Sequence, residues 1–268
     1  MDNRQQTTDN RRLVIRVGAD SLAFSTTNDE SQVIFVPYDC KTGITLAANM
    51  REALRTVPLL RESYYRVLVM VDSPVLMMPA DLFTEDKADS LYQFAFTGQK
   101  QELVSYSILP DLSSVALFSV SKDLRTVLTD RFSDVRFSAA LAPVWRHLNQ
   151  RSYTGPRGKL YAYFHGRRMD VFCFTQNRFK FYNAFSTNTP DDMLYYLLSV
   201  WKLVGLVAEH DELHLVGDHA DIDTLKEKAS AFIKRVFIIN PVGEFNRSAV
   251  TQIEGMPYDL MTLYIKGR

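Results

Sequence analysis

The chain has 268 residues, 46% of them hydrophobic and 23% charged, which is enough for one large or two medium domains with cores of their own. Its 31 basic residues balance 31 acidic ones, which argues against a molecule whose overall charge attracts nucleic acid or anionic lipid. We expect a cytoplasmic protein, because residues 1–12 lack the apolar stretch of a signal peptide and no run is long enough to span a bilayer. Residues 1–12 are expected to form a mobile tail. Cys40 and Cys173 are expected to be two buried thiols of a cytosolic protein.

Three short apolar runs at the start of the chain predict an antiparallel meander over residues 13–17, 21–26 and 32–38, with turns between them. Apolar residues then recur at helical spacing from Leu46 to Leu54, and Thr45 is a candidate helix cap. A fourth strand is expected over residues 67–71, followed by Asp72. The first part of the chain therefore has the order strand, strand, strand, helix, strand.

Further elements separate this first part from a boundary rich in Gly, Pro, Ser and Arg at residues 149–158. They are a strand over 75–79, a helix over 85–94, a polar hinge at 98–101, an added hairpin over 104–109 and 115–120, a helix over 122–131, a strand over 135–137 and a helix over 141–148.

The same order recurs after the boundary. Strands are predicted over 160–164, 169–175 and 179–185, with a polar turn at 176–178. A long helix over 193–209 follows, with Thr189 as its cap and Pro190 in the first turn, and then a strand over 213–216. A helix over 222–232 and a strand over 235–239 complete this part, and a helix over 257–265 is expected to return to the first half. Gly18 and Gly166 both fall in the first turn of their copy, which favours a duplication over two unrelated α+β domains.

Strand, strand, strand, helix, strand is the opening order of the ribonuclease H-like unit. Two such halves, a linker and a returning C-terminal segment resemble the actin-like ATPase fold, a mixed α/β architecture in which the halves surround a cleft. The chain resembles a bacterial family of unknown function assigned to that fold, and more distantly the actin-like platform proteins of pilus assembly and type II secretion. The resemblance implies a first half over residues 13–148, a linker over 149–158, a second half over 159–242 and a C-terminal segment over 243–268.

An active member of that superfamily carries Asp-x-Gly in each first hairpin, for the phosphates and the Mg²⁺ ion, and two glycines beside the adenosine. Here residues 16–18 are Arg-Val-Gly, residues 164–166 are Phe-His-Gly, and residues 216–219 are Val-Gly-Asp-His. The cleft positions that the resemblance implies are Gly18, Asp20, Ser21, Gly166, Asp170, Gly217 and Asp218. Asp20 and Asp170 could have taken over the metal role, but turn or strand-start carboxylates explain them better. We therefore expect a degenerate nucleotide site without a bound cofactor or metal.

Other candidate chemistries have weaker support in the sequence. Asp72 alone at a strand end does not make the carboxylate cluster of a nuclease. The densest group of His and acidic residues, at 210–223, runs loop, strand, loop, which favours a solvated connection over a metal site. Arg167 and Arg168 at a hairpin tip could meet a phosphate or an acidic partner, although arginines are common in exposed turns. Motifs of serine hydrolases, P-loop proteins, thiol oxidoreductases and dinucleotide-binding domains are missing from the sequence.

The sequence thus favours a scaffold or binding protein with an actin-like fold, a protein partner and no ATPase activity. The alternative is a divergent Mg-ATP-dependent ATPase or phosphotransferase that uses Asp20, Asp170 or Asp218 for the metal. A third hypothesis is a homo-oligomer that forms a filament or ring.

Overall fold

The computed structural model describes residues 11–97, 102–175 and 178–266. The expected hinge at 98–101, most of the turn at 176–178 and residues 1–10 of the expected tail lie outside the described residues. The contacts divide the chain into two compact units, which we describe one at a time. Unit 1 comprises Met1–Ile108, Val115–Ala142 and Ile253–Met256, and unit 2 comprises Leu109–Ser114, Pro143–Gln252 and Pro257–Arg268.

Unit 1 begins with the predicted meander of β1 (Arg12–Val17), β2 (Ser21–Thr27) and β3 (Val33–Asp39). Arg12, expected in the tail, starts β1 because it pairs with Arg66. Helix α1 (Leu46–Thr56) follows, and the Thr45 hydroxyl accepts a hydrogen bond of 3.2 Å from the Ala48 N–H, as the capping prediction required. A 3₁₀ turn at Pro58–Arg61 leads to β4 (Arg66–Val71), which runs parallel to β1.

The rest of unit 1 adds a second, smaller sheet. Its elements are β5 (Val75–Pro79), 3₁₀ turns at Ala80–Leu82 and Glu85–Lys87, α2 (Ala88–Ala95), β6 (Glu102–Leu109) and β7 (Ser114–Ser121). β5, β7 and β6 form a three-stranded sheet with β7 in the centre, and Ala88 and Tyr92 of α2 pack against Val115 and Leu117 of β7. Helix α3 (Lys122–Arg131) and β8 (Val135–Ala139) complete the unit.

Unit 2 repeats the larger sheet. Its elements are α4 (Ala142–Ser152), β9 (Lys159–His165), β10 (Arg168–Thr175), β11 (Arg178–Ser186), α5 (Pro190–Val204), β12 (Glu212–Gly217), α6 (Ile222–Ser230), β13 (Val236–Ile238), α7 (Pro241–Glu244), a 3₁₀ turn at Ala249–Gln252 and α8 (Tyr258–Lys266). The Thr189 hydroxyl caps α5 by accepting from the Asp192 N–H at 3.2 Å. Gly205, at φ +74°, ends this helix earlier than the predicted 193–209 span, because a left-handed glycine closes the last turn.

The two five-stranded sheets have the same topology. Their orders are β3-β2-β1-β4-β8 and β11-β10-β9-β12-β13, each a meander continued by two strands parallel to the first. This equivalence confirms the mixed α/β fold and the duplicated ribonuclease H-like unit. In unit 2, α5 and α6 cover one face of the sheet, where Leu197 and Leu225 join a core with Leu160 and Leu215.

Two details differ from the expected organisation. Helix α4 continues to Ser152, so it occupies the start of the expected 149–158 linker. At the end of the helix, the buried Lys159 ammonium donates to the Arg151 carbonyl at 3.1 Å and to the Thr154 carbonyl at 2.6 Å. By its contacts helix α8 belongs to unit 2, where Tyr258 packs on Tyr163 with ring centroids 6.0 Å apart, whereas Ile253–Met256 just before it belongs to unit 1. Among the described residues, no helix is both long and apolar enough to cross a membrane.

Candidate functional site

The first candidate position is the tight turn between β1 and β2. The Gly18 N–H donates to the Ser21 carbonyl at 2.8 Å, and a Cβ on Gly18 would lie 2.7 Å from the Ser21 Oγ and 3.3 Å from its carbonyl. A side chain at position 18 would therefore crowd the turn. Asp20 and Ser21 are exposed, and the Asp20 carbonyl accepts a long hydrogen bond of 3.3 Å from the Cys40 N–H. The turn geometry accounts for Gly18 without a ligand.

Arg16 stands where the resemblance expects a metal-holding carboxylate, and it forms an ion pair with Asp72. The Arg16 Nη2 lies 3.6 Å from the Asp72 Oδ2, and about a tenth of each side chain is exposed. The pair forms because β1 and β4 are parallel neighbours whose carboxyl ends meet at one edge, where the Asp72 N–H donates to the Val17 carbonyl at 2.9 Å. Sequence reasoning, which considers Asp72 only as an isolated carboxylate at a strand end, missed the Arg16–Asp72 ion pair. The available signal was a charged residue near the carboxyl end of each of two strands that the predicted fold makes parallel neighbours.

The turn between β9 and β10 contains the second candidate glycine. Gly166 has φ +58°, with no atom within 4 Å of the place its Cβ would take, so the left-handed backbone alone favours glycine there. Phe164, at the second position where a carboxylate is expected, is buried in the core that α5 and α6 cover. Position 164 therefore contributes packing to the fold.

Asp170, a candidate for a shifted metal role, lies on β10 and is fully buried. Its Oδ1 accepts from the Tyr182 hydroxyl at 2.6 Å and from the Arg168 Nη2 at 2.9 Å. Its Oδ2 is hydrogen-bonded to the His165 Nε2. Arg168 also donates to the Tyr182 oxygen at 2.9 Å, which closes the network.

The Tyr182 hydroxyl stays protonated in this network. Burial and the neighbouring Asp170 carboxylate raise its pKa well above the ordinary value, although Arg168 acts in the opposite direction. A protonated hydroxyl donates and a carboxylate accepts, so the two groups stabilise each other. To hold the water shell of a Mg²⁺ ion, Asp170 would have to give up these three side chains. The arrangement instead joins β9, β10 and β11.

The third candidate segment follows β12. Gly217 has φ +98°, and a Cβ there would lie 2.2 Å from the Phe164 carbonyl oxygen, its neighbour across the β9–β12 pair. The next residue, Asp218, is exposed, and the His219 ring lies 5.5 Å from the Phe164 ring. Close approach of two backbones thus requires the glycine. The structure brings Gly217 to the strand that carries Phe164.

The group of histidines and acidic residues at 210–223 separates into pairs. The His214 Nε2 lies 3.0 Å from the Glu212 Oε2, and the imidazole stacks on Tyr161 and Phe237 at 5.3 Å from each ring. Burial lowers the pKa of His214, which favours the neutral ring. The His210 Nδ1 lies 3.2 Å from the Asp211 carboxylate in a different contact. In the ranges that the structure describes, no group of three or more His, Cys, Asp or Glu side chains is placed to hold a metal ion.

Sequence reasoning also missed a cluster that ties α4 to α7. The Glu244 Oε1 lies 2.8 Å from the His147 Nε2, and its Oε2 pairs with Arg151. The hydrogen bond from His147, with the contribution of Arg151, outweighs burial and lowers the pKa of Glu244 to about 2. The partners are more than 90 residues apart, so no local pattern could have indicated them.

Comparison with known proteins decides the family. The model of a family described as "Protein of unknown function (DUF3822)" matches residues 2–236. The chain belongs to this family. No functionally curated protein matches the chain.

Many solved structures resemble this DUF3822 chain, and two of them illustrate the likeness. One is a protein with actin-like ATPase fold and unknown function from Bacteroides thetaiotaomicron VPI-5482, with TM-score 0.83 and 30% identity over 95% of this chain and 100% of that one. The other is the PilM-PilN type IV pilus biogenesis complex, with TM-score 0.63 and 10% identity over 95% of this chain and 97% of that one, a likeness of fold alone. Both confirm the actin-like fold for this member of DUF3822.

Proposed function

We propose that this DUF3822 protein is a non-catalytic scaffold or interaction module whose nucleotide cleft no longer binds Mg-ATP. The observation that carries the proposal is the Arg16–Asp72 ion pair at the end of β1 and β4. Active members of the superfamily place a carboxylate where Arg16 stands, and a guanidinium there repels a divalent cation. It also neutralises Asp72, the residue that directly follows the neighbouring strand β4.

The second hairpin supports the same conclusion. Phe164 takes the position of the other carboxylate and is buried in the core. Asp170, the acidic residue that could replace it, accepts from Tyr182 and Arg168 and is hydrogen-bonded to His165. A metal would compete with all three contacts. Gly217, the glycine kept at the adenosine position, has a packing role that explains its presence.

A protein is the partner that we infer. The balance of 31 basic and 31 acidic residues gives no electrostatic reason for nucleic acid binding. The PilM-PilN complex supports a protein partner by analogy, because in that case the fold is found together with another protein. We place the interaction in the cytoplasm.

Thermal unfolding with and without millimolar Mg-ATP tests the proposal. Mg²⁺ alone at matched ionic strength is the control, and no shift of the midpoint is expected. A ligand that binds the native state at a hundred times its Kd would add about 2.7 kcal/mol, a shift of several degrees. A shift that requires both Mg²⁺ and nucleotide would overturn the proposal in favour of a divergent ATPase or phosphotransferase. Alanine variants of Asp20, Asp170 and Asp218 would then locate the metal.

A further inference from the structure

Large apolar side chains are exposed on the outer face of α2 in unit 1. Phe94 is 89% exposed and Leu91, one helical turn earlier, is 38% exposed. Helix α2 packs Ala88 and Tyr92 against the three-stranded sheet, and the core cluster formed there does not include Leu91 or Phe94. Leu82, in the 3₁₀ turn that precedes the helix, is 67% exposed. Clusters of exposed apolar side chains, unlike single ones, mark interaction sites in soluble proteins.

Acidic residues accompany these apolar side chains. Asp81, Glu85, Asp86 and Asp89 are all exposed, and Lys87 is the one basic residue in the same stretch. The acidic apolar surface is defined as Leu82, Leu91 and Phe94 together with Asp81 and Asp86. Its charge favours a partner with basic residues around an apolar centre.

A second group of exposed apolar residues lies at the end of α5 and α6 in unit 2. Leu203, Val207 and Phe232 are 72%, 53% and 58% exposed. Leu203 is in the last turn of α5, and Val207 follows that helix. The Lys234 N–H donates to the Ala208 carbonyl at 3.0 Å, which holds the segment after α6 beside the segment after α5.

Basic residues accompany this second group. Lys202 and Lys234 are exposed, and the exposed Lys180 donates to the Val204 carbonyl at the end of α5. Glu209 is the acidic residue exposed in the same loop. The basic apolar surface is defined as Leu203, Val207 and Phe232 together with Lys180, Lys202 and Lys234. It has the composition that the acidic apolar surface requires of a partner.

We propose that the acidic apolar surface of one copy binds the basic apolar surface of a second copy of this chain. Opposite charges surround an apolar centre of three side chains on each side, so burial and charge favour the same pairing. Pairing either surface with its own copy would bring like charges together, which disfavours that contact. The two surfaces belong to different units and share no residue, so the contact joins unlike surfaces of the two copies.

This inference goes beyond the proposed function and does not depend on the state of the nucleotide cleft. Sedimentation velocity over a range from low to several hundred micromolar, in low and high salt, tests it. The wild-type chain is expected to sediment as larger species with rising concentration, and high salt is expected to weaken the association because it screens the charges. Wild-type protein that stays monomeric at the highest concentration in low salt would overturn the inference and direct attention to a different protein as the occupant.

Two variants test the assignment of the surfaces. Phe94→Ser damages the acidic apolar surface and Phe232→Ser the basic one, and both side chains are exposed enough for the fold to persist, which circular dichroism verifies. Each variant alone is expected to associate about tenfold more weakly than the wild type, or more weakly still. The reason is that each contact loses an aromatic side chain from one of its two partners.

An equimolar mixture of the two variants is expected to form a dimer and nothing larger. Phe94→Ser keeps the basic apolar surface and Phe232→Ser keeps the acidic one, so one intact contact remains. The matched control is Tyr195→Ser on α5, which is 68% exposed and belongs to neither surface, and it should assemble as wild type does. A mixture that stays monomeric, or a control that loses assembly, would refute the assignment.

Discussion

Replacement of Gly217 by alanine tests the backbone contact that organises the edge of the second sheet. The Cβ added at this position would lie 2.2 Å from the Phe164 carbonyl oxygen, whereas real Cβ contacts essentially never fall below 3.0 Å. The φ of +98° adds conformational strain for any residue with a side chain. Gly166 provides the matched control, because its φ is also positive but the space around it is open. Both glycines belong to unit 2.

The two variants differ in one physical contribution. Each loses about 1 kcal/mol of stability from a non-glycine residue in a left-handed conformation. Only Gly217→Ala must also increase the distance between its Cβ and the Phe164 carbonyl oxygen on β9, by about 0.8 Å to reach 3.0 Å. Overpacking of this kind costs about 1–3 kcal/mol. We therefore expect a loss of about 2–4 kcal/mol for Gly217→Ala and about 1 kcal/mol for Gly166→Ala.

Urea unfolding followed by far-ultraviolet circular dichroism measures both losses. Equal losses would refute the steric argument. The result also bears on function. If Gly217 were a glycine only to let adenosine approach, Gly217→Ala and Gly166→Ala should have similar free energies of unfolding. A larger loss assigns Gly217 to the fold, whether or not a nucleotide binds.

Three further predictions follow from buried ionisable groups. Asp170→Ala should lower the free energy of unfolding by about 3 kcal/mol or more, because it removes the acceptor of three largely buried side chains, and the exposed Asp20→Ala should change it little. A loss no larger than that of Asp20→Ala would contradict the network. Since the folded pKa of Glu244 is about 2 and its ordinary value is 4.5, its stabilisation should be complete above about pH 4.5 and decline as the pH falls towards about 2. Glu244→Gln should flatten that decline in chemical unfolding, and an unchanged slope would argue against the ion pair. The pKa of His214, measured by NMR titration, should lie below 6.5. The contribution of the neutral ring to stability should then be present above about pH 6.5 and be lost as the pH falls from there. A measured pKa at or above 6.5 would contradict the burial of His214.

The elements that the sequence predicted well have strong local causes. Alternating or continuous apolar runs closed by short polar turns specified each meander. Thr45 and Thr189 marked two helix starts that the capping hydrogen bonds confirm. The equal order of elements on the two sides then indicated the duplication, and the sheet orders agree with it. Helix ends were less accurate, as at Gly205, where a single left-handed residue ends α5 inside an apolar stretch.

The contacts that determine the candidate site could not be predicted because they depend on register. Asp170 meets Tyr182 only because β10 and β11 pair in one particular register, and a shift of one residue would send the tyrosine to the other face. Gly217 meets Phe164 through the parallel pairing of strands more than 50 residues apart. Similarly, the amphipathic pattern of α8 indicated a buried face but not the unit against which it packs.

The chain supplies internal partners for the groups that a phosphate- and metal-binding cleft must leave available for its ligand. The Gly18 N–H donates to the Ser21 carbonyl, and the Asp72 carboxylate pairs with Arg16. The Asp170 carboxylate is enclosed by side chains of its own sheet. A nucleotide would have to displace these contacts, and their loss would subtract from its binding free energy. We therefore expect the fold to be stable without a ligand, as the proposed role of an interaction module requires.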